Sequence, residues 1–241
     1  LFDLRDPWRI FRFFNPFFIP SGFFAGRLNR GHLAVGKEFP MATPLFRRLK
    51  TATADLHDIA EKEGPLHRLV DGPPVSVDHY VALLQRLYGF LRAAEPPAVE
   101  SLRPVMAAES LRGLRRLPDL RRDLAHFGVT PNALEGASSC GDPPRLDRPS
   151  RALGWFYLSE GSRLGGRALA HALAEGLGLG PETGAAYFGS GGENPNQRWH
   201  RFQTLAAATL TTPDAERETV AAARDAFARL NRWLADGARP E

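Results

Sequence analysis

After Met41, apolar residues recur at spacings of three and four almost throughout, and no segment alternates apolar and polar positions between turn signals. The pattern predicts an all-α domain. Leu45, Leu49, Ala52, Leu56 and Ile59 define a first amphipathic helix over about 44–62, opening at Pro44 behind Thr43 and ending at Gly64-Pro65. A second helix begins behind Ser76, carries Tyr80, Leu83, Leu84, Leu87, Tyr88 and Leu91, and is expected to stop at Pro96-Pro97. Residues 98–127 read as two shorter helices interrupted near Pro118, and 128–150 as mostly loop. Ser150 is the expected cap of a helix over 151–175, and the glycine-rich stretch 176–195 reads as a mobile connection. Two helices, over 196–211 and 214–236, close the chain.

The helix over 151–175 carries Gly161, Gly165 and Gly166, at i, i+4 and i+5. That spacing gathers them on one side within about a turn and a half. Each costs on the order of 1 kcal/mol relative to alanine in a helix interior. Two readings offset that cost: close packing of another helix, or a flat ligand lying against exposed backbone.

The first helix supplies a second half to the flat-ligand reading. His57 flanks the apolar stripe with Thr53 and Ala54 one turn before it and Ala60 about one turn after, so the surface around its imidazole is low. Imidazole is a common axial ligand to haem iron, although a lone histidine beside an apolar face also serves as a core residue. Lys50, seven residues earlier, lies on the same side and about 10 Å along the axis. A macrocycle spans that distance, iron at the imidazole and propionate at the lysine.

Composition narrows the function classes. The 241 residues fit one globular domain with an appendage, and 31 Lys and Arg against 27 Asp and Glu give only +4, which is no nucleic-acid-binding field. Cys140 is the single cysteine, which excludes an internal disulfide framework and thiolate metal clusters and points to a cytoplasmic setting. Residues 1–40 interleave Trp8 and seven phenylalanines from Phe11 to Phe24 with Arg5, Arg9 and Arg12, without an apolar run of the roughly 20 residues that span a bilayer. They read as a poorly ordered extension upstream of Met41, or as a peripheral membrane or partner-binding arm; residues 41–241 form the helical domain.

The segment Leu49-Lys-Thr-Ala-Thr-Ala-Asp-Leu-His57-Asp-Ile-Ala-Glu61 resembles the proximal helix of haem oxygenases, and Glu160-Gly-Ser-Arg-Leu-Gly-Gly166 resembles their distal helix. Tyr187-Phe-Gly and Arg198-Trp-His-Arg-Phe202 look like the later part of the bacterial branch found beside bacteriophytochromes. The likeness covers roughly 44–235. It implies a multi-helical single domain with haem b, substrate and cofactor at once, clamped between the two helices. His57 matches the iron ligand and Lys50 a propionate partner. Gly161, Gly165 and Gly166 match the distal glycines. Ser162 stands where animal-type enzymes carry an aspartate that organises distal water. Arg198 and Arg201 are the two candidates for the second propionate, and Tyr157 either lines the pocket or fills the core.

The implied reaction consumes O2 and reducing equivalents and yields biliverdin, CO and ferrous iron. With no flavin or nicotinamide motif visible, electrons come from a separate donor, a ferredoxin or a reductase, and a bacteriophytochrome is the implied acceptor of the bilin. Two rivals stay open at this point. One is a non-enzymatic haem-binding or haem-sensing protein on the same scaffold, suggested by Ser162, and the other is a different small ligand, as in thiamin-degrading relatives of this architecture.

Overall fold

The computed structural model describes residues 43–62, 66, 76–189 and 194–236. The aromatic, basic stretch 1–40 and His67, discounted as a ligand because it follows Gly64-Pro65, lie outside the described residues. Among the described residues there are eight helices and no strand, and no helix is long and apolar enough to cross a membrane. They are α1 (Pro44–Lys62), α2 (Val77–Leu102), α3 (Ala108–Leu114), α4 (Leu117–His126), α5 (Pro131–Gly136), α6 (Pro149–Leu177), α7 (Pro195–Thr209) and α8 (Pro213–Asp236).

α1 starts where Thr43 and Pro44 predict. The Thr43 carbonyl accepts a hydrogen bond from the Arg47 amide at 3.1 Å, and the proline forfeits only an amide that the first turn leaves unpaired. Leu45, Phe46, Leu49 and Thr53 are buried, whereas Leu56 and His57 are half-buried and Ile59 is 39% exposed. The helix is anchored by its first half, and its second half stands proud of the core.

α2 departs from the expected stop, because it runs through Pro96 and Pro97 to Leu102. Proline inside a helix removes a hydrogen bond and crowds the preceding turn, at a cost of about 3 kcal/mol or more. Tertiary contacts offset it: Ala94, Ala98 and Leu102 are fully buried, and the Glu95 carboxylate accepts the amides of Arg116 and Leu117 at 2.6 and 3.0 Å. Stopping the helix at Pro96 would forfeit the burial of Ala98 and Leu102. The two shorter helices of 98–127 are α3 and α4; the break near Pro118 falls at Arg115 and Arg116, leaving the proline in the first turn of α4.

The stretch 128–150 is not all loop, because Thr130 caps the short α5 by accepting the Ala133 amide at 3.3 Å. Ser150 does not cap α6. The helix begins two residues earlier, at Pro149 behind Arg148, and the Ser150 hydroxyl donates instead to Glu218 on α8. After Gly178 ends α6 in the left-handed conformation (φ 66°), the expected mobile connection is a packed segment as far as Gly189. Ala185, Ala186, Tyr187 and Phe188 are buried, and the Asp123 carboxylate accepts the amides of Ala186 and Tyr187, both at 2.8 Å. Burial raises the Asp123 pKa, and those two amide bonds oppose the rise.

α8 is the common support of α1 and α6, and its closest packing is on α6. A Cβ at Gly154 of α6 would lie 2.5 Å from the Thr219 carbonyl oxygen and 2.8 Å from the Ala223 nitrogen of α8. The two backbones therefore touch, and Ala223 and Ala226 are fully buried beside them.

Candidate functional site

α1 and α6 both rest on α8, yet among the described residues they share no extended packing of their own. They meet through a few side chains. Tyr157 of α6, buried, packs its ring 6.2 Å from Phe46 of α1 and 5.7 Å from Trp199 of α7, and its hydroxyl is hydrogen-bonded to Thr53. Thr53 in turn donates to the Leu49 carbonyl at 2.9 Å. Burial pushes the Tyr157 phenol up to about 12 against the opposing hydrogen bond to Thr53. Tyr157 thus joins the two helices whether or not it also faces a ligand.

One turn beyond this junction lie His57 on α1 and Gly161 on α6. The Phe227 ring of α8 is 6.1 Å from the His57 imidazole and 6.5 Å from Tyr157, so one apolar side chain underlies both helices. A Cβ built at Gly161 would have no neighbour within 4 Å although the residue is half-buried, and the same space is open at Gly165, which is exposed. Gly166 is different. Its Cβ would lie 3.1 Å from the Phe188 carbonyl oxygen, so this glycine is packed against the 185–189 segment. The three glycines, expected on one side, divide into an open pair and a packed one, because five residues turn a helix through about 140°.

Lys50 is half-buried, and desolvation lowers its pKa. Arg47 is exposed, and Arg48 is ion-paired with Glu216 of α8. Of the two arginine candidates on α7, Arg201 is exposed, whereas Arg198 donates to Glu160 of α6 at 3.1 Å. His79, His126, His171 and His200 are exposed. Ser162 is exposed as well, and its hydroxyl donates to the Ser159 carbonyl at 2.8 Å while accepting a long contact of 3.4 Å from Arg116.

Sequence reasoning missed what backs α6. Glu160 is buried and ion-paired; its two oxygens take Arg163 at 3.0 Å and Arg198 at 3.1 Å. Arg163 also donates to the Arg115 carbonyl at 3.1 Å, and burial lowers its pKa. Arg116 is buried between α6 and the 185–189 segment. It donates to the carbonyls of Ser159 and Tyr187 at 3.1 and 2.6 Å and stacks over the Tyr187 ring at 3.9 Å. The signal in the sequence is the pair Glu160 and Arg163, opposite charges three residues apart beside the glycines.

The residues suit a porphyrin better than a bare metal ion. Among the described residues no three His, Cys, Asp or Glu side chains gather to hold a metal. An iron at His57 would therefore need equatorial ligands of its own, which a porphyrin brings. The space at half-buried Gly161, where a side chain would meet nothing within 4 Å, leaves helix backbone open to the approach of such a ring.

The family model described as Heme oxygenase matches residues 43–236. The chain belongs to the haem oxygenase family. A haem oxygenase of Xanthomonas campestris pv. campestris is 30% identical over 170 residues, covering 69% of this chain and 94% of that protein. Among solved haem oxygenases, the NO- and CO-bound enzyme of Neisseria meningitidis superposes with a TM-score of 0.66 at 25% identity, covering 80% of this chain and 91% of that one. Haem oxygenase-1 of the cyanobacterium Synechocystis, in complex with haem, gives 0.59 at 17% identity over 80% of this chain and 91% of its own, a likeness of fold.

Proposed function

We propose that this chain binds haem b between α1 and α6 and opens it with O2 and electrons to biliverdin, CO and ferrous iron. The observation that carries the reading is the open space at half-buried Gly161, one turn past the Tyr157–Thr53 junction, with His57 one turn past that junction on the other helix. When bound, haem supplies the iron and the oxidisable ring.

The chain's own residues bind and orient. His57 would hold the iron through its imidazole, a ligand that favours oxygen–oxygen cleavage less than a thiolate does. Lys50 offers its ammonium to one propionate, and its partial desolvation strengthens that attraction. Arg198 and Arg201 are the two candidates for the other propionate, and both also have partners within the chain. Gly161 and Gly165 present bare backbone that crowds the distal side, while Gly166 lets the 185–189 segment press on the helix from behind. Ser162 commits its proton to the Ser159 carbonyl, so it shapes the turn rather than passing a proton forward. Phe227 and Tyr157 keep water from the inner edge of the site.

Electrons would come from a separate ferredoxin or reductase, and a bacteriophytochrome would take the bilin, as the likeness of Tyr187-Phe-Gly and Arg198-Trp-His-Arg-Phe202 to the phytochrome-associated branch suggests. Titration with ferric haem, followed by reductant and O2, tests the reading. Loss of the Soret band with rising bilin absorbance is expected, and His57→Ala should abolish the wild-type haem spectrum. A stable oxygen complex would mark a non-enzymatic haem-binding protein instead, and no haem spectrum at all would overturn the site.

A further inference from the structure

The open glycines leave the middle of α6 without side-chain anchors on the cleft side, so whatever fixes that stretch acts from behind. Residues 160 and 163 lie roughly opposite the Gly161–Gly165 edge of the helix. Both are charged and both are almost wholly buried, with side-chain exposures of 1% for Glu160 and 3% for Arg163. Glu160 is the residue immediately before Gly161, and its carboxylate uses one oxygen for each of two guanidiniums. Arg163 extends the anchor to the Arg115 carbonyl in the α3–α4 turn, with Asp119 of α4 at 4.0 Å, and Arg198 extends it to α7. Arg116, another buried cation, bonds the same stretch of α6 at Ser159. Glu160 is therefore the anion on which buried Arg163 and half-buried Arg198 converge, and removing the carboxylate leaves their charges uncompensated.

We infer that Glu160 is a positioning residue of the distal wall: by holding Arg163 and Arg198 behind α6, it fixes the backbone at Gly161 and couples the setting of that wall to α7. Arg198 then acts through Glu160 and not as a propionate ligand. This rests on the proposed haem site, and its test separates the two ideas.

Glu160→Gln keeps the shape and removes the charge; Arg198→Ala cuts the tie to α7, and Arg198→Lys restores a cation there. In the haem-free protein, Glu160→Gln and Arg198→Ala should speed amide hydrogen exchange over residues 159–166 about tenfold, leaving α2 unchanged. In the ferric haem complex both should change the ratio of high-spin to low-spin absorption at least about twofold, and Arg198→Lys should recover most of both effects. If Glu160→Gln does not fold, the two Arg198 variants carry the test alone. Unchanged exchange and an unchanged spin ratio in folded variants would overturn the inference. So would lower thermal stability with an unaltered spin ratio, which is a structural role only. Weakened haem affinity in Arg198→Ala with normal exchange would return Arg198 to the propionate. A wild-type protein that takes up no haem would sink the site and the inference together, whereas a normal wild-type spectrum with unresponsive variants sinks only the inference.

Discussion

Two parts of α6 use glycine for opposite ends. At Gly154 the missing side chain lets α8 lie backbone against backbone, with Thr219 and Ala223 where a Cβ would be. Two turns on, at Gly161 and Gly165, the missing side chains face nothing within 4 Å. The first absence is filled by the protein, and the second is the one we propose haem fills. A glycine in a helix costs about the same in both places, so propensity cannot tell them apart; only the neighbour opposite can. Gly166, tight against the Phe188 carbonyl, belongs with Gly154 in this respect although it adjoins Gly165 in sequence.

Alanine substitution should split the two groups by sign. Gly154→Ala is the severe change: a Cβ at 2.5 Å from a carbonyl oxygen forces two packed backbones apart, and we expect a loss of about 3 kcal/mol, read as a lower midpoint in urea unfolding. Haem affinity per folded molecule should change little. Gly161→Ala and Gly165→Ala should instead each stabilise the haem-free protein by about 1 kcal/mol, because the methyl meets no atom and the helix gains propensity. The same methyls project into the proposed haem space, so haem affinity should fall about tenfold or more in a spectroscopic titration. A Gly161→Ala protein that is more stable and binds haem normally would remove the distinction between the two parts of the helix.

The comparison also marks where sequence reasoning stops. The span of α1, with Lys50 and His57 on it, is legible because an apolar stripe of period 3.6, a proline at the first turn and small residues around the imidazole are all local signals. The direction each glycine faces is not local. Spacing brings Gly161 and Gly165 onto one edge, but what stands opposite depends on α8 and on the 185–189 segment, which reach α6 only in the folded chain. Pro96-Pro97 misleads for the same reason, since the burial of Ala98 and Leu102 outweighs a local stop signal. Arg116 is invisible for a further one: a buried guanidinium and a solvated one have the same letter, and in Arg115-Arg116 only burial separates the two.

The smallest expected effect concerns the proximal side of the same cleft. The second half of α1 has little apolar anchorage, and polar contacts to α8 replace it: Arg224 grips Asp55 at 2.7 and 2.6 Å, and Asn231 donates to the Leu56 carbonyl at 2.9 Å. The hydrogen bonds from Arg224 hold the Asp55 pKa below the usual carboxylate value. Because the folded-state pKa is depressed, the stabilising effect is fully present at neutral pH and fades as pH falls below about 4, through the folded-state value. Asp55→Asn should therefore lower the melting temperature slightly at pH 7, and the difference from wild type should vanish on acidification. The pair is exposed, so the loss is small, and haem affinity should drop no more than about twofold. A larger drop would mean that the His57 turn is held by this one ion pair, and that the proximal wall, like the distal one, depends on charge placed behind it.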